Sequence, residues 1–77
     1  MSVWISRNQV IARLREANWQ YSTQTKRVEI YKLKGSPKRM DVPIKDYFPD
    51  VYARILLKQA GLTRDQIEEF LKAAVKK

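Results

Sequence analysis

The sequence predicts a small α+β domain with the order helix, three strands, helix, helix. Apolar residues recur at helical spacing near the start of the chain and again towards its end. Between these regions, three short segments alternate polar and apolar residues and are separated by turns. Because strands joined by short turns are antiparallel, we expect a three-stranded antiparallel sheet with the helices packed on one face.

Composition excludes several classes of protein. The chain has 77 residues, enough for a single domain covering residues 1–77. It contains no Cys and no His, which excludes disulfides, thiol nucleophiles, imidazole bases and the usual zinc ligands. We therefore expect no metal site and no cofactor. No apolar run is long enough for a signal peptide or a membrane span, so a cytoplasmic location is expected.

The first helix is predicted to begin directly after Ser6. Ser6 and Gln9 have the spacing of a capping box, and Ile5 and Val10 have the spacing of a hydrophobic staple. Asn18 tolerates the left-handed conformation that often closes a helix. The apolar face of this helix is predicted to contain Val10, Ile11, Leu14 and Ala17.

Three strands are predicted between residues 19 and 44. The first starts at Trp19, the second covers residues 27–33 and the third covers residues 39–44. A polar loop at 22–26 and a turn containing Gly and Pro at 34–38 connect them. Because Pro43 has no N–H for a ladder, the third strand should lie at an edge or end there.

The side chains of these strands are predicted to divide between the two faces of the sheet. Tyr31 and Leu33 have the opposite alternation to Val28 and Ile30, so the two pairs point in opposite directions. We expect Tyr31 and Leu33 on the open face. On the face towards the helices we expect Trp19, Tyr21, Val28, Ile30, Met40, Val42 and Ile44.

Two helices are predicted to complete the chain. Pro49 suits the first turn of one helix, and Gly61 supplies its left-handed end. Thr63 and Gln66 then form a second capping box. The predicted apolar stripes contain Val51, Tyr52, Ile55, Leu56 and Ala60 in the first, and Ile67, Phe70, Leu71, Ala74 and Val75 in the second. The aromatic residues also expected in the core are Trp4, Trp19 and Phe70.

Positive charge is concentrated in the middle of the chain. Lys and Arg number 16 against 8 Asp and Glu, a net charge of +8, and seven of the cations lie between residues 26 and 45. Only Glu29 and Asp41 oppose them there. Such a surplus is typical of a surface that binds nucleic-acid phosphates, although Lys also protects exposed strand edges. The predicted phosphate-binding residues are Lys26, Arg27, Lys34, Lys38 and Arg39.

Tyr31 is the residue predicted to stack on a base. An aromatic side chain among arginines on an open sheet face can hold a base by stacking. The same side chain, with Leu33 beside it, can equally form the interface of a homodimer. A third interpretation is that a loop or the tail of the chain covers the pair. The sequence leaves these three interpretations open.

The residues from 41 to 63 carry a resemblance to a known family. Val42 and Pro43 end the third strand, and the sequence Ile-Leu-Leu-Lys-Gln-Ala-Gly-Leu-Thr follows at 55–63. With the α-β-β-β-α order, these residues resemble the HicA mRNA interferase toxins, whose fold is similar to that of double-stranded-RNA-binding domains. The resemblance covers residues ~6–72. It implies that fold, RNA as a partner and a HicB-like antitoxin as a second partner.

The resemblance fails at the residue that carries out the family's reaction. HicA activity depends on a His at the start of the second strand, within a Gly-Ser-His motif, and the corresponding residues here are Lys26, Arg27 and Val28. We therefore predict an RNA-binding protein with a diverged active site and no catalytic residue. Two alternatives stay open. One is a HicA-type ribonuclease in which Lys or Arg stabilises the phosphorane, and the other is a protein-interaction module of a toxin–antitoxin pair.

Overall fold

The computed structural model describes residues 3–75 and confirms the α+β fold. Its elements are β1 (Trp4–Ser6), α1 (Arg7–Glu16), β2 (Trp19–Gln24), β3 (Val28–Leu33), β4 (Arg39–Pro43), β5 (Tyr47–Pro49), α2 (Asp50–Gln59) and α3 (Arg64–Val75). The three predicted strands form an antiparallel sheet in the order β2-β3-β4. As predicted, the third strand lies at an edge and ends at Pro43.

A second, two-stranded ladder forms between β1 and β5, and the sequence did not predict it. Ile5 lies opposite Phe48 in this ladder, and both side chains are fully buried in the core. Backbone hydrogen bonds extend the pairing at each end: Arg7 N donates to Asp46 O at 2.9 Å, and Asp50 N donates to Val3 O at 2.8 Å. Strands of three residues are too short to show the alternation by which strands are recognised.

The two faces of β3 are the reverse of the prediction. Tyr31 is only 2% exposed and lies opposite Tyr21 on β2 and Met40 on β4. Directly paired residues share one face of a sheet, so the buried Met40 places Tyr31 on the helix side. Val28 and Ile30 consequently lie on the open face, where both are half-buried.

The local sequence does not settle which face of β3 is buried. Apolar residues occupy even positions in the first half of β3 and odd positions in the second half. Moving the strand by one residue exchanges the two faces, and the register with β2 and β4 makes the choice. Tyr21 lies opposite Tyr31 on the predicted face, but it is 48% exposed because β2 is an edge strand.

The predicted apolar stripe of α2 is also wrong in part. Val51 is 63% exposed and Ile55 is 47% exposed. The buried residues of α2 are Ala53, Leu56 and Leu57. The helix begins immediately after β5, so the pairing of β5 and the burial of Phe48 fix its rotation about its axis.

The three aromatic residues expected in the core have different outcomes. Trp19 is buried, and its Nε1 donates a hydrogen bond to Ala60 O at 3.1 Å. Phe70 is half-buried and packs against the core. Trp4 is 62% exposed, and its prediction is wrong. Ile5 of β1 points inward, so its neighbour Trp4 must point outward.

The helix ends confirm most of the predicted capping. Gly61 has φ 94° and Asn18 has φ 71°, as a left-handed helix end requires. The capping box before α3 is complete, since Thr63 N donates to Gln66 Oε1 at 2.8 Å and Gln66 N donates to Thr63 Oγ1 at 3.2 Å. Ser6 makes no side-chain capping bond to α1, because it belongs to β1 and is paired with Tyr47.

This difference between the two helix starts gives a stability prediction. Thr63→Ala should lower the free energy of unfolding by about 1 kcal/mol, because it removes the acceptor for the Gln66 N–H. The matched variant Ser6→Ala should change it by less than about 0.5 kcal/mol. Urea unfolding followed by circular dichroism measures both values. Equal effects of the two substitutions would contradict the assignment of the caps.

Candidate nucleic-acid interface

The five predicted phosphate-binding cations are all exposed, but they lie at opposite ends of the sheet. Lys26 and Arg27 occupy the turn between β2 and β3, whereas Lys34 and Lys38 occupy the turn between β3 and β4 with Arg39 directly after them. Arg39 lies opposite Lys32, and Lys32 lies five positions along the chain from Arg27, so the two groups are at least roughly 17 Å apart. The turn between β3 and β4 therefore gathers three of the five cations at one end of the sheet, and the other two lie at the opposite end.

Two cations lie directly opposite each other on neighbouring strands. Lys32 of β3 is paired directly with Arg39 of β4, and both lie on the open face, away from the helices. Like charges at directly opposed positions destabilise a sheet. Within residues 3–75 neither side chain has an ion-pair partner. The pair therefore creates a positive potential that no ion pair within residues 3–75 neutralises.

The turn between β3 and β4 adds two more cations to this pair. We use the name turn patch for the four exposed residues Lys32, Lys34, Lys38 and Arg39. Gly35, with φ 76°, permits the tight turn that brings the two strands together. Sequence reasoning counted Lys32 among the cations but did not select it for the site. Lys32 lies between Tyr31 and Leu33 in β3, so its side chain points to the opposite face from theirs. This predicts an exposed Lys32 only once the face of Tyr31 and Leu33 is known to be the buried one.

Tyr31 does not form part of an exposed site. Its ring is buried, with the ring of Tyr21 edge-on at 6.0 Å between centroids. Its hydroxyl donates a hydrogen bond to Glu29 Oε1 at 2.9 Å. Leu33 is half-buried and packs against the core. The prediction that Tyr31 stacks on a base, or forms a homodimer with Leu33, required an exposed pair and is wrong for this fold.

The Glu29 carboxylate is the centre of a polar cluster at the other end of the sheet. It accepts hydrogen bonds from the Arg7 guanidinium and from the Tyr31 hydroxyl. Arg7 Nε also donates to Pro43 O at 3.1 Å. Side chains of Arg7 and Glu29 are only 16% and 20% exposed. Arg7, the first residue of α1, therefore joins that helix to both β3 and β4.

The cluster moves the pKa values of its two acids in opposite directions. Burial alone would raise the pKa of Glu29, but the hydrogen bonds from Arg7 and Tyr31 and the positive charges of Arg7 and Arg15 outweigh burial, and the pKa is lowered. Burial raises the pKa of Tyr31, and the hydrogen bond to Glu29 and its negative charge raise it further.

The cluster supports the fold and offers no acid–base catalyst. The Glu29 carboxylate is ionised and held by two donors, so it is a weak proton acceptor near neutral pH. In residues 3–75 no group of acidic side chains could hold a metal ion. That part of the chain also contains no helix long and apolar enough to cross a membrane. The side chains available to bind a ligand are therefore the exposed cations.

Comparison with known proteins gives no identification. No protein-family model matches the chain, and no significant match to it was found among curated proteins or solved structures. The fold and the positions of the charges are therefore the features that indicate a function.

The lowered pKa of Glu29 predicts acid sensitivity. A carboxylate whose folded pKa is below its ordinary value of 4.5 stabilises the protein above about pH 4.5, and this contribution is lost as pH falls through the folded pKa. Glu29→Gln should lower the free energy of unfolding by about 1–2 kcal/mol at neutral pH. It should also reduce the further loss between about pH 7 and pH 3.

Urea unfolding at several pH values measures both effects. The matched control is Glu69→Gln, because Glu69 is exposed and forms no ion pair within residues 3–75. This control should unfold like the native protein across the same pH range. An acid loss that Glu29→Gln leaves unchanged would show that the cluster does not contribute to stability.

Proposed function

We propose that this protein binds RNA through its positive charges, with the turn patch as the main contact, and does not cleave it. The observation that carries the proposal is the direct pairing of Lys32 with Arg39. The pair costs folding free energy unless an anion relieves the repulsion. Lys34 and Lys38 in the adjoining turn add to the field that a phosphate meets.

A second group of cations extends the proposed contact. Lys26 and Arg27 lie at the other end of β3, and Lys45 joins them because Ile44 N donates to Arg27 O at 2.9 Å. A strand of RNA that crosses the open face meets the turn patch first and this group roughly 17 Å further on. Between them lies Ile30, which is half-buried and offers apolar contact without an aromatic ring.

RNA is named as the nucleic acid because of the resemblance to HicA. The binding proposal itself depends on the charges, and the resemblance selects RNA over DNA and suggests a HicB-like antitoxin as a protein partner. The residue corresponding to the family's catalytic His is Val28, the first residue of β3. Its neighbour Glu29 is engaged with Arg7 and Tyr31. The proposal is therefore binding without the family's acid–base chemistry.

The first test is the salt dependence of RNA binding. For single-stranded RNA, the four contacts of the turn patch predict a slope of log K against log salt concentration of about −2.8, and all seven cations predict about −4.9. Fluorescence anisotropy with a labelled oligonucleotide measures the slope, with DNA of the same sequence as the comparison. Absence of binding at low salt, or a flat slope, would contradict the proposal. Equal binding of DNA would support a charge contact but not RNA selectivity.

Two triple variants with equal charge changes locate the contact. Lys32→Gln, Lys34→Gln and Lys38→Gln together should weaken binding and reduce the slope by about 2, because three contacts are lost. The control combines Lys58→Gln, Arg64→Gln and Lys72→Gln, which removes three cations from α2 and α3. It should leave the slope nearly unchanged. A larger loss in the control would place the site on the helices.

A further prediction concerns cleavage. General acid–base catalysis typically contributes about 10²–10⁴-fold, and the chain has no imidazole to supply it. The purified protein should therefore bind a labelled RNA and leave it intact over hours, as observed by gel electrophoresis. Metal-independent cleavage that one substitution in the chain abolishes would show that the protein is a ribonuclease with a site lacking His.

A further inference from the structure

The outer edge of β4 has unpaired backbone groups. Leu33 N donates to Lys38 O at 3.2 Å and Ile44 N donates to Arg27 O at 2.9 Å, so these pairs mark the two ends of the β3–β4 ladder. In an antiparallel ladder, alternate residues direct their backbone groups to the same neighbour. The backbone N–H and C=O groups of Met40 and Val42 therefore point to β3.

The backbone groups of Arg39 and Asp41 point away from the sheet. Within residues 3–75, neither residue has a backbone hydrogen bond in that direction. Such an edge is a template for another strand.

The space beside this edge is open. A groove of about 380 Å³ lies between β4 and α2, and its lining includes Met40, Asp41, Tyr52, Ile55 and Gln59. Ile55 is 47% exposed although it is a large apolar residue. The edge therefore combines unpaired backbone groups with an apolar side chain on the helix side. Both are features that a strand-pairing partner would cover.

The side chains of β4 are self-complementary about Met40. When two copies of β4 pair antiparallel with Met40 on the two-fold axis, Arg39 lies opposite Asp41 of the second copy, and Asp41 lies opposite its Arg39. Each such pair exchanges two backbone hydrogen bonds through the groups that point outward. Opposite charges at directly opposed positions stabilise a sheet.

The neighbouring registers lack this complementarity. With Arg39 on the axis, the two Arg39 side chains oppose each other and Pro37 lies opposite Asp41. With Asp41 on the axis, the two carboxylates oppose each other and Arg39 lies opposite Pro43. Each alternative therefore combines like-charge repulsion with a proline that cannot donate a hydrogen bond.

We propose that β4 is the interface of a homodimer, in which two copies pair antiparallel about Met40 and form a continuous six-stranded sheet. The two-fold axis brings the exposed Ile55 of each α2 towards its counterpart on the helix side. Self-complementary charge identifies the partner as a second copy. The proposal shares Arg39 with the turn patch, whereas the backbone groups of β4 and the Asp41 carboxylate take no part in the proposed RNA contact.

The pairing is expected to stop at two copies. It uses the β4 edge of each protomer, and the two outer edges of the resulting six-stranded sheet belong to β2. The bulge between Tyr21 and Thr23 interrupts the β2 ladder, and bulges protect an edge from further pairing. A closed dimer is therefore expected, and an open fibre is not.

Charge exchange at two positions tests the proposal. In Arg39→Asp, Asp faces the partner's Asp41; in Asp41→Arg, Arg faces the partner's Arg39. Each single variant should weaken the dimer at least tenfold in Kd, as measured by sedimentation equilibrium. An equimolar mixture of the two variants restores opposite charges at both positions and should form a heterodimer. Circular dichroism checks that each variant is folded.

The outcomes separate this proposal from RNA binding. The proposal is overturned if the native protein remains monomeric at about 1 mM, because the Kd of the dimer would then be weaker than about 1 mM. A dimer that both single variants retain also overturns it, as does a mixture that stays monomeric. The triple variant at Lys32, Lys34 and Lys38 keeps Arg39 and Asp41, and it should dimerise like the native protein even when it fails to bind RNA.

Discussion

The ion pair between the Glu29 carboxylate and the Arg7 guanidinium holds helix α1 against the three-stranded sheet. Arg7 begins α1, and Glu29 lies near the beginning of β3. The carboxylate also accepts a hydrogen bond from the Tyr31 hydroxyl, so the ring is buried in the core while its hydroxyl has a hydrogen-bond partner. A partly buried charge needs such partners. The pair places α1 against the face of β3 that carries Glu29 and Tyr31, which is the face that the register with β4 directs towards the helices.

Within residues 3–75, the positions of the ion pairs explain why the positive charge of the turn patch is not compensated. The three ion pairs within residues 3–75 engage Glu29, Glu16 and Glu68, and their cations are Arg7, Arg13 and Arg54. None of them reaches the turn patch. Asp41 lies two residues from Arg39 on the same face of β4, and it is the acid nearest to the patch along the chain. The ion pairs and the turn patch therefore lie in different parts of the protein, and within residues 3–75 the cations of the patch stay unpaired.

The second ladder shows how a short chain completes a small core. β1 and β5 carry only three residues each, but their inward residues Ile5 and Phe48 are fully buried. A domain of this size hides only ~60% of the surface of its unfolded chain, so each buried side chain matters. The outward residues of the same ladder, Trp4 and Tyr47, remain exposed. In this ladder the two inward residues belong to the core and their neighbours do not.

The sequence by itself determined the order of the helices and of the three strands of the main sheet, the edge position of β4 and the caps at Gly61 and Thr63, but not the ladder of β1 and β5. These features depend on residues close together in the chain, such as a Gly with positive φ or a Thr three residues before a Gln. Tertiary structure alone decided which face of β3 is buried, how α2 is rotated and where the cations meet. Tyr31 and Ile30 are both suitable core residues, and only the register with Met40 on another strand selects between them. The pairing of Lys32 with Arg39 has the same origin, because a turn of several residues must close before the two positions oppose each other.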